Sequence, residues 1–243
     1  MLDLQLDKIL FLDIETVPQT AEFAQLPAEL AQLWEEKAQM LQQRNPERYS
    51  AEQTAEDMFA SAGIYAEFGK VVCISVGFVH YNRDKEMCLR TKSFCGDDER
   101  ELLIEFSDLL RKNNYMLCGH NIKEFDVPYL CRRMLVNGLP LPPVLRIAGK
   151  KPWEVQFLDT LELWKFGDYK NYTSLKLLTA IFGIPTPKDD IDGSQVAGVY
   201  YNDHDLRRIA VYCEKDVTAT AQLLLRMCGK NLIEEKNIAS ANG

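Results

Sequence analysis

A chain of 243 residues with 47% apolar content can bury a substantial core, yet its longest apolar runs fall well short of the roughly 18 residues a membrane-spanning helix needs. A net charge of −8 argues against a broad electrostatic platform for nucleic acid, and seven cysteines without a Cys-x-x-Cys pair argue against a zinc site or disulfide frame. Met1 to Gln5 lacks the basic start of a secretory signal, so the expected setting is a soluble, cytoplasmic protein with no membrane association.

Lys8 to Thr16 reads as a core strand: Ile9 to Ile14 is apolar on both faces, as in a strand covered on both sides. It then places Asp13 and Glu15 where hydrophobes belong, and strand alternation puts both carboxylates on one face. At roughly 4 Å and an effective dielectric of about 20, two such anions repel by about 4 kcal/mol, so the pair implies a cation, a shared proton or solvent. Asp-x-Glu recurs at Asp84 and Asp97, but in polar stretches where acids cost nothing.

Residues 21–62 follow, rich in Ala, Glu, Gln and Leu and punctuated by Pro27 and Pro46, and predict two or three helices inserted after the first strand. From 21 to 68 nine acids face only Lys37, Arg44 and Arg48, so the insertion is expected to be peripheral to the metal site, a cover or docking surface whose net negative charge repels phosphates. Lys70–His80 and Glu86–Phe94 read as an antiparallel meander, and Asp97–Lys112 carries a helical period opened by acids. Tyr115–Gly119 is a short strand, Val127–Val136 a helix ended by Asn137-Gly138, Val155–Leu158 a strand and Ser174–Phe182 a helix closed by Gly183. The last helix is expected from Asn202 or Asp203 to about Cys228, and the alternation of strands and helices after residue 100 indicates an α/β fold with a mixed sheet.

Two further acids attract notice. Asp126 lies where the chain leaves a strand and enters a helix; the position suits an N-cap, with Pro128 in the first turn, and it is also where ligand sites form in α/β sheets. Tyr212 and Asp216 are four apart in the last helix and share a face, whereas Tyr201 and Asp205, at the same spacing, straddle the expected helix start. His120 reads as a strand-end hydrogen-bonding residue.

Asp13-x-Glu15 in a first strand, Asn121 with Asp126 after a central strand, and Tyr212-x-x-x-Asp216 in a last helix resemble, in order, the three motifs of the DEDD exonucleases, tyrosine branch. The likeness is to stand-alone exonucleases related to the proofreading domain of family B DNA polymerases, and extends to Glu67–Ser75, to Ser174–Leu178 leading to Gly183-Ile184-Pro185, and to Asp189–Ser194. It implies a ribonuclease-H-like mixed sheet flanked by helices, with 1–243 a single exonuclease domain carrying the helical insertion at 21–62. It also implies two Mg²⁺ or Mn²⁺ ions: Asp13 bridging both, Glu15 and Asp216 holding the one that activates water, Asp126 helping to hold the other, and Tyr212 orienting the water. By the same resemblance Thr16, Asn121 and Phe125 would contact substrate. Independently of the family, phosphodiester hydrolysis calls for two hard cations, and this site offers acids without a His or Cys cluster.

The implied activity is 3′→5′ release of nucleoside 5′-monophosphates, with single-stranded DNA ends as the first expectation. An exoribonuclease and a non-catalytic nucleic-acid-binding module are the alternatives. Arg132, Arg133, Arg146, Lys150, Lys151, Lys165, Lys170 and Lys176 are candidate phosphate contacts, with Trp153, Trp164, Phe166, Tyr169 and Tyr172 as candidate stacking surfaces.

Overall fold

The computed structural model describes residues 4–168, 172–185 and 191–242. Strand β1 (Ile9–Pro18) runs through the middle of a mixed sheet, pairing antiparallel with β2 (Gly69–Tyr81), which pairs antiparallel with β3 (Met87–Cys95). On its other edge β1 pairs parallel with β4 (Met116–Gly119), and β4 with the two-residue β5 (Leu158–Asp159); β6 (Ile238–Ser240) adds parallel to β3. The resulting order is β5-β4-β1-β2-β3-β6.

Helix α1 (Ala28–Arg44) lies between β1 and β2, α2 (Glu99–Lys112) follows β3, and α3 (Asp126–Val136) follows β4. Two short helices, α4 (Thr160–Lys165) and α5 (Leu175–Ile181), come next, each capped by the residue before it, Asp159 and Ser174. A single turn, α6 (Val196–Gly198), runs into a π-helical turn over Val199–Asp203 before the long α7 (Leu206–Met227). The sequence expected that last helix to start at Asn202 or Asp203. Instead His204 adopts a left-handed conformation that breaks the helix, and Asp205 caps the new start by accepting from the Arg208 amide.

The alternation of β1 decides which helices it meets. Leu10, Leu12 and Ile14 pack with Leu103 and Phe106 of α2 and Val127 and Leu130 of α3. Ile9 and Phe11 point the other way, onto Val217, Ala221 and Leu224 of α7. The Asp13 and Glu15 side chains continue this second row, so the α7 face of the sheet changes from apolar to acidic along one strand.

Close approaches hold the site's neighbourhood together. Gly69, at the start of β2, has no room for a side chain: a Cβ there would lie 2.3 Å from the Tyr129 hydroxyl oxygen and 2.6 Å from the Gly63 carbonyl oxygen. Tyr129 uses that space to donate to Gly63, tying α3 to the segment that precedes β2. A buried ion pair adds to this tie. Arg133 reaches Glu99 with two nitrogens (2.8 and 2.6 Å) and Glu99 also accepts from the Val71 amide. Arg133 is therefore a structural cation and not one of the phosphate contacts that the sequence suggested.

Candidate active site

Three elements bring the acids together. β1 supplies Asp13 and Glu15, the start of α3 supplies Asp126, and α7 supplies Asp216 with Tyr212 one turn before it. The parallel pairing of β1 with β4 stops at Phe11–Cys118, so further along β1 the edge facing β4 is open to the chain entering α3. There the Asp126 carboxyl meets the Ile14 backbone amide, which acts with its own amide to favour the ionised form.

Asp126 is not the cap that its position suggested. Phe125 occupies the cap position, and the Val127 amide donates to the Ile122 carbonyl (3.1 Å) within the turn before the helix. With that amide satisfied by backbone, the Asp126 carboxyl turns toward Asp13 and Glu15. Its charge is felt by both.

The rotation of α7 is fixed from β3. Glu214 accepts from Thr91 (2.6 Å) and Ser93 (2.8 Å), which leaves Tyr212, Cys213 and Asp216 to face β1. Tyr212 hydrogen-bonds Asp216; burial first, and then the Asp216 charge, raise the tyrosine above its ordinary range. Tyr201, the other candidate tyrosine, donates to the Pro18 carbonyl instead, and burial raises it to about 12.

Burial holds Asp13 and Glu15 well above the usual carboxylate range, reinforced for Asp13 by Asp126, Glu15 and Asp216 and for Glu15 by Asp216 and Asp126. Asp126 is raised to about 7, again mainly by burial, with Asp159 adding to the effect. Three carboxylates raised by burial, with the Asp216 charge acting on two of them, are a site of unmet negative charge. Such a set fits a hard divalent cation bound through oxygen. Cys213 lies with Asp13 and Glu15, their polar atoms within 4.8 Å of one another, and could be taken for a thiolate ligand. Burial pushes its thiol up, however, and it sits 3.4 Å from Asp13 Oδ2 as a neutral donor to an acid.

The acids open into a cleft of about 520 Å³. Asp13, Glu15, Asp126 and Asp216 line it with Ile14, His120, Asn121, Phe125, Tyr172, Arg48 and Ile64. Asn121 has a left-handed backbone (φ 69°) and donates its amide to Asp159. Phe125 packs against Tyr129. Thr16, named with them from the sequence, is not among the residues lining the cleft; it lies beyond a β-bulge at Glu15/Thr16 and bonds the Tyr129 hydroxyl. His120 contacts Thr160 (2.9 Å) and the Thr173 carbonyl (3.0 Å) through its two ring nitrogens, and burial lowers its pKa, as befits a neutral structural imidazole.

The sequence overlooked two kinds of residue. Asp159 is buried and accepts from the amides of Asn121, Lys123, Leu161 and Glu162, so it shapes the loop that delivers Asp126; its position as a cap just after a strand is the signal that could have found it. Arg48 comes from the acidic insertion, which net charge had placed away from phosphates, and yet it lines the cleft. The cations proposed from sequence do not line it, and Lys170 with Tyr169 lies outside the described residues, as do Asp189 and Asp190. A second cavity of about 260 Å³ adjoins Tyr212 and is lined by Arg207, Arg208 and Lys215 along α7.

Among the described residues no helix is long and apolar enough to cross a membrane. The fold resembles that of the family B DNA polymerase from the hyperthermophilic archaeon Pyrobaculum calidifontis, with a TM-score of 0.50 and 16% sequence identity over 90% of this chain. The matched region is 24% of the polymerase, so the chain spans about a quarter of that protein's length. A sequence model of a family described as a predicted 3′-5′ exonuclease related to the exonuclease domain of PolB matches residues 64–238, taking in Asp126, Tyr212 and Asp216 and starting after Asp13 and Glu15. The chain belongs to this family of PolB-related predicted 3′-5′ exonucleases.

Proposed function

We propose that residues 1–243 act as one exonuclease domain that removes nucleoside 5′-monophosphates from the 3′ ends of single-stranded DNA by a tyrosine-branch DEDD mechanism. The observation that carries this reading is the convergence of Asp13, Glu15, Asp126 and Asp216, from three separate elements, on the floor of one cleft. Their carboxylates would hold two Mg²⁺ or Mn²⁺ ions, which when bound supply an activated water and stabilise the departing oxyanion.

The chain's own groups have distinct tasks. Asp13, central to the four, keeps the site's charge where the scissile phosphate must come. Tyr212 hydrogen-bonds Asp216 from one helical turn away and brings a hydroxyl to that acid, suited to orient the attacking water. Phe125 and the exposed Ile64 and Tyr172 offer apolar surface for a terminal base, which favours an unpaired end over a blunt duplex.

The test is digestion of 3′-labelled single-stranded DNA, blunt duplex DNA and RNA side by side, with Mn²⁺ or with excess chelator. Chelator-sensitive release of 5′-monophosphates, fastest from single-stranded DNA, supports the reading. Faster RNA decay would move the substrate to RNA, since the same acids serve both polymers and only 2′-OH contacts separate them. Degradation that persists in chelator, or products carrying a 3′-phosphate, would refute it.

A further inference from the structure

We propose that Arg48 is a substrate-positioning residue of this cleft, a guanidinium clamp that the insertion after β1 extends to a phosphate of the bound strand. The inference rests on the exonuclease reading and adds a contact that the acids alone do not provide.

Arg48 and His120 are the basic side chains lining the acidic cleft among the described residues, and His120 has both ring nitrogens engaged. Arg48 is exposed and makes no ion pair with any described carboxylate, although it belongs to a segment dense in acids. It is nevertheless held in place. Its own amide and that of Tyr49 donate to the Asn45 carbonyl (both 3.0 Å), and Gln42 Nε2 pins the next residues through Ser50 (2.8 Å) and Gln53 (2.7 Å). The Tyr49 side chain is buried in the insertion's core beside Trp34, and the guanidinium lies 5.4 Å from the centroid of its ring.

A well-supported arginine without a carboxylate partner, aimed into a cleft, has an anion as its natural complement. Once the four acids are neutralised by cations, they no longer satisfy its charge, and a phosphate brought in by the strand does. Arginine suits this task because its fork can give two parallel hydrogen bonds to one phosphate. The connection between β1 and β2 also contributes Ile64, just past the insertion and 44% exposed on the cleft wall, so charge and apolar surface reach the cleft from one stretch of chain.

The experiment compares wild type, Arg48→Ala and Arg48→Lys by steady-state kinetics on a single-stranded oligonucleotide, by fluorescence anisotropy of the same oligonucleotide, and by Mn²⁺ titration calorimetry. Arg48→Ala should raise KM and Kd about 10-fold or more. It should also make the salt dependence of log K shallower by about 0.7, one single-strand phosphate contact. Arg48→Lys should keep the salt slope and recover part of the affinity, while kcat and Mn²⁺ affinity stay near wild type in both. Should Arg48 merely offset the acids, its loss would tighten Mn²⁺ and leave KM, Kd and salt slope alone, which would overturn the proposal. An inactive wild type whose oligonucleotide binding still depends on Arg48 would refute the exonuclease reading and keep the contact. An active wild type indifferent to Arg48 would do the reverse.

Discussion

At the scale of single residues, Tyr212 and the acids around it separate by what each substitution removes. Asp13→Ala deletes the carboxylate whose charge is coupled to the other three, and turnover should fall below detection in a 3′-end release assay. Tyr212→Phe keeps the ring packed and removes only the hydroxyl. Its kcat should drop by about 10²-fold or less with Mn²⁺ affinity nearly unchanged, because an orienting hydroxyl acts on the transition state. Tyr201→Phe loses only a hydrogen bond to the Pro18 carbonyl, and should keep kcat near wild type. If the two tyrosine variants exchange behaviour, Tyr212 loses its assigned role. Asp126 adds a pH signature. Burial raises its pKa to about 7, so the folded, metal-free protein binds more protons than the unfolded chain, whose carboxyls titrate near 4. The stability linked to this group is fully present below about pH 4 and is lost as pH rises through about 7. In chelator, urea unfolding should show lower stability at pH 8 than at pH 5, and Asp126→Asn should recover about 1–3 kcal/mol of the difference. A midpoint that rises with pH in both proteins would contradict this.

Among the elements, the insertion and the sheet are linked more closely than charge counting implies. Trp34 of α1 is fully buried, packs edge-on against Phe59 and Phe68, and donates to the Ala55 carbonyl (2.7 Å). Phe68 adjoins β2, so the insertion's core continues into the sheet. Trp34→Ala should cost about 3–5 kcal/mol in urea unfolding, with KM rising as the turn carrying Arg48 loosens. A loss of Mn²⁺ affinity in that variant, still folded, would instead mean that the insertion supports the acids directly. Gly69→Ala tests the opposite kind of contact. The added methyl meets the Tyr129 hydroxyl oxygen at 2.3 Å and backbone of Gly63 at 2.6 Å, so the variant should be destabilised by about 1–3 kcal/mol. Adding Tyr129→Phe should relieve only part of this, because the Gly63 backbone still obstructs.

For the molecule as a whole, the balance of charge makes metal binding and stability one measurement. The chain is acidic overall, and Asp13 and Glu15 are held above their ordinary pKa by burial and by the neighbouring carboxylates of the cleft. A divalent cation that binds only the folded state should therefore raise the melting temperature, and more at pH 8 than at pH 5, where the same oxygens carry protons. Scanning calorimetry with and without Mn²⁺ at both pH values checks this. An equal shift at the two pH values would point to binding elsewhere.

The sequence by itself determined β1 to β4, helices α2, α3, α5 and α7 apart from their exact ends, and the four acids that line the cleft. Alternation in Ile9–Glu15 gives a strand with both acids on one face, and a four-residue spacing gives Tyr212 and Asp216 one side of a helix, because these depend only on local backbone periods. Only the tertiary structure decided which groups meet. The rotation of α7 comes from Glu214 bonding across to β3, and the freedom of Asp126 from capping comes from the backbone turn before α3. Arg133 looks like any surface arginine until Glu99 meets it in the core, and Arg48 sits in a segment whose net charge is negative until a turn carries that one side chain to the cleft. Net charge averages over a segment, whereas a phosphate responds to the few charges within a Debye length of about 10 Å, and those are chosen by the fold.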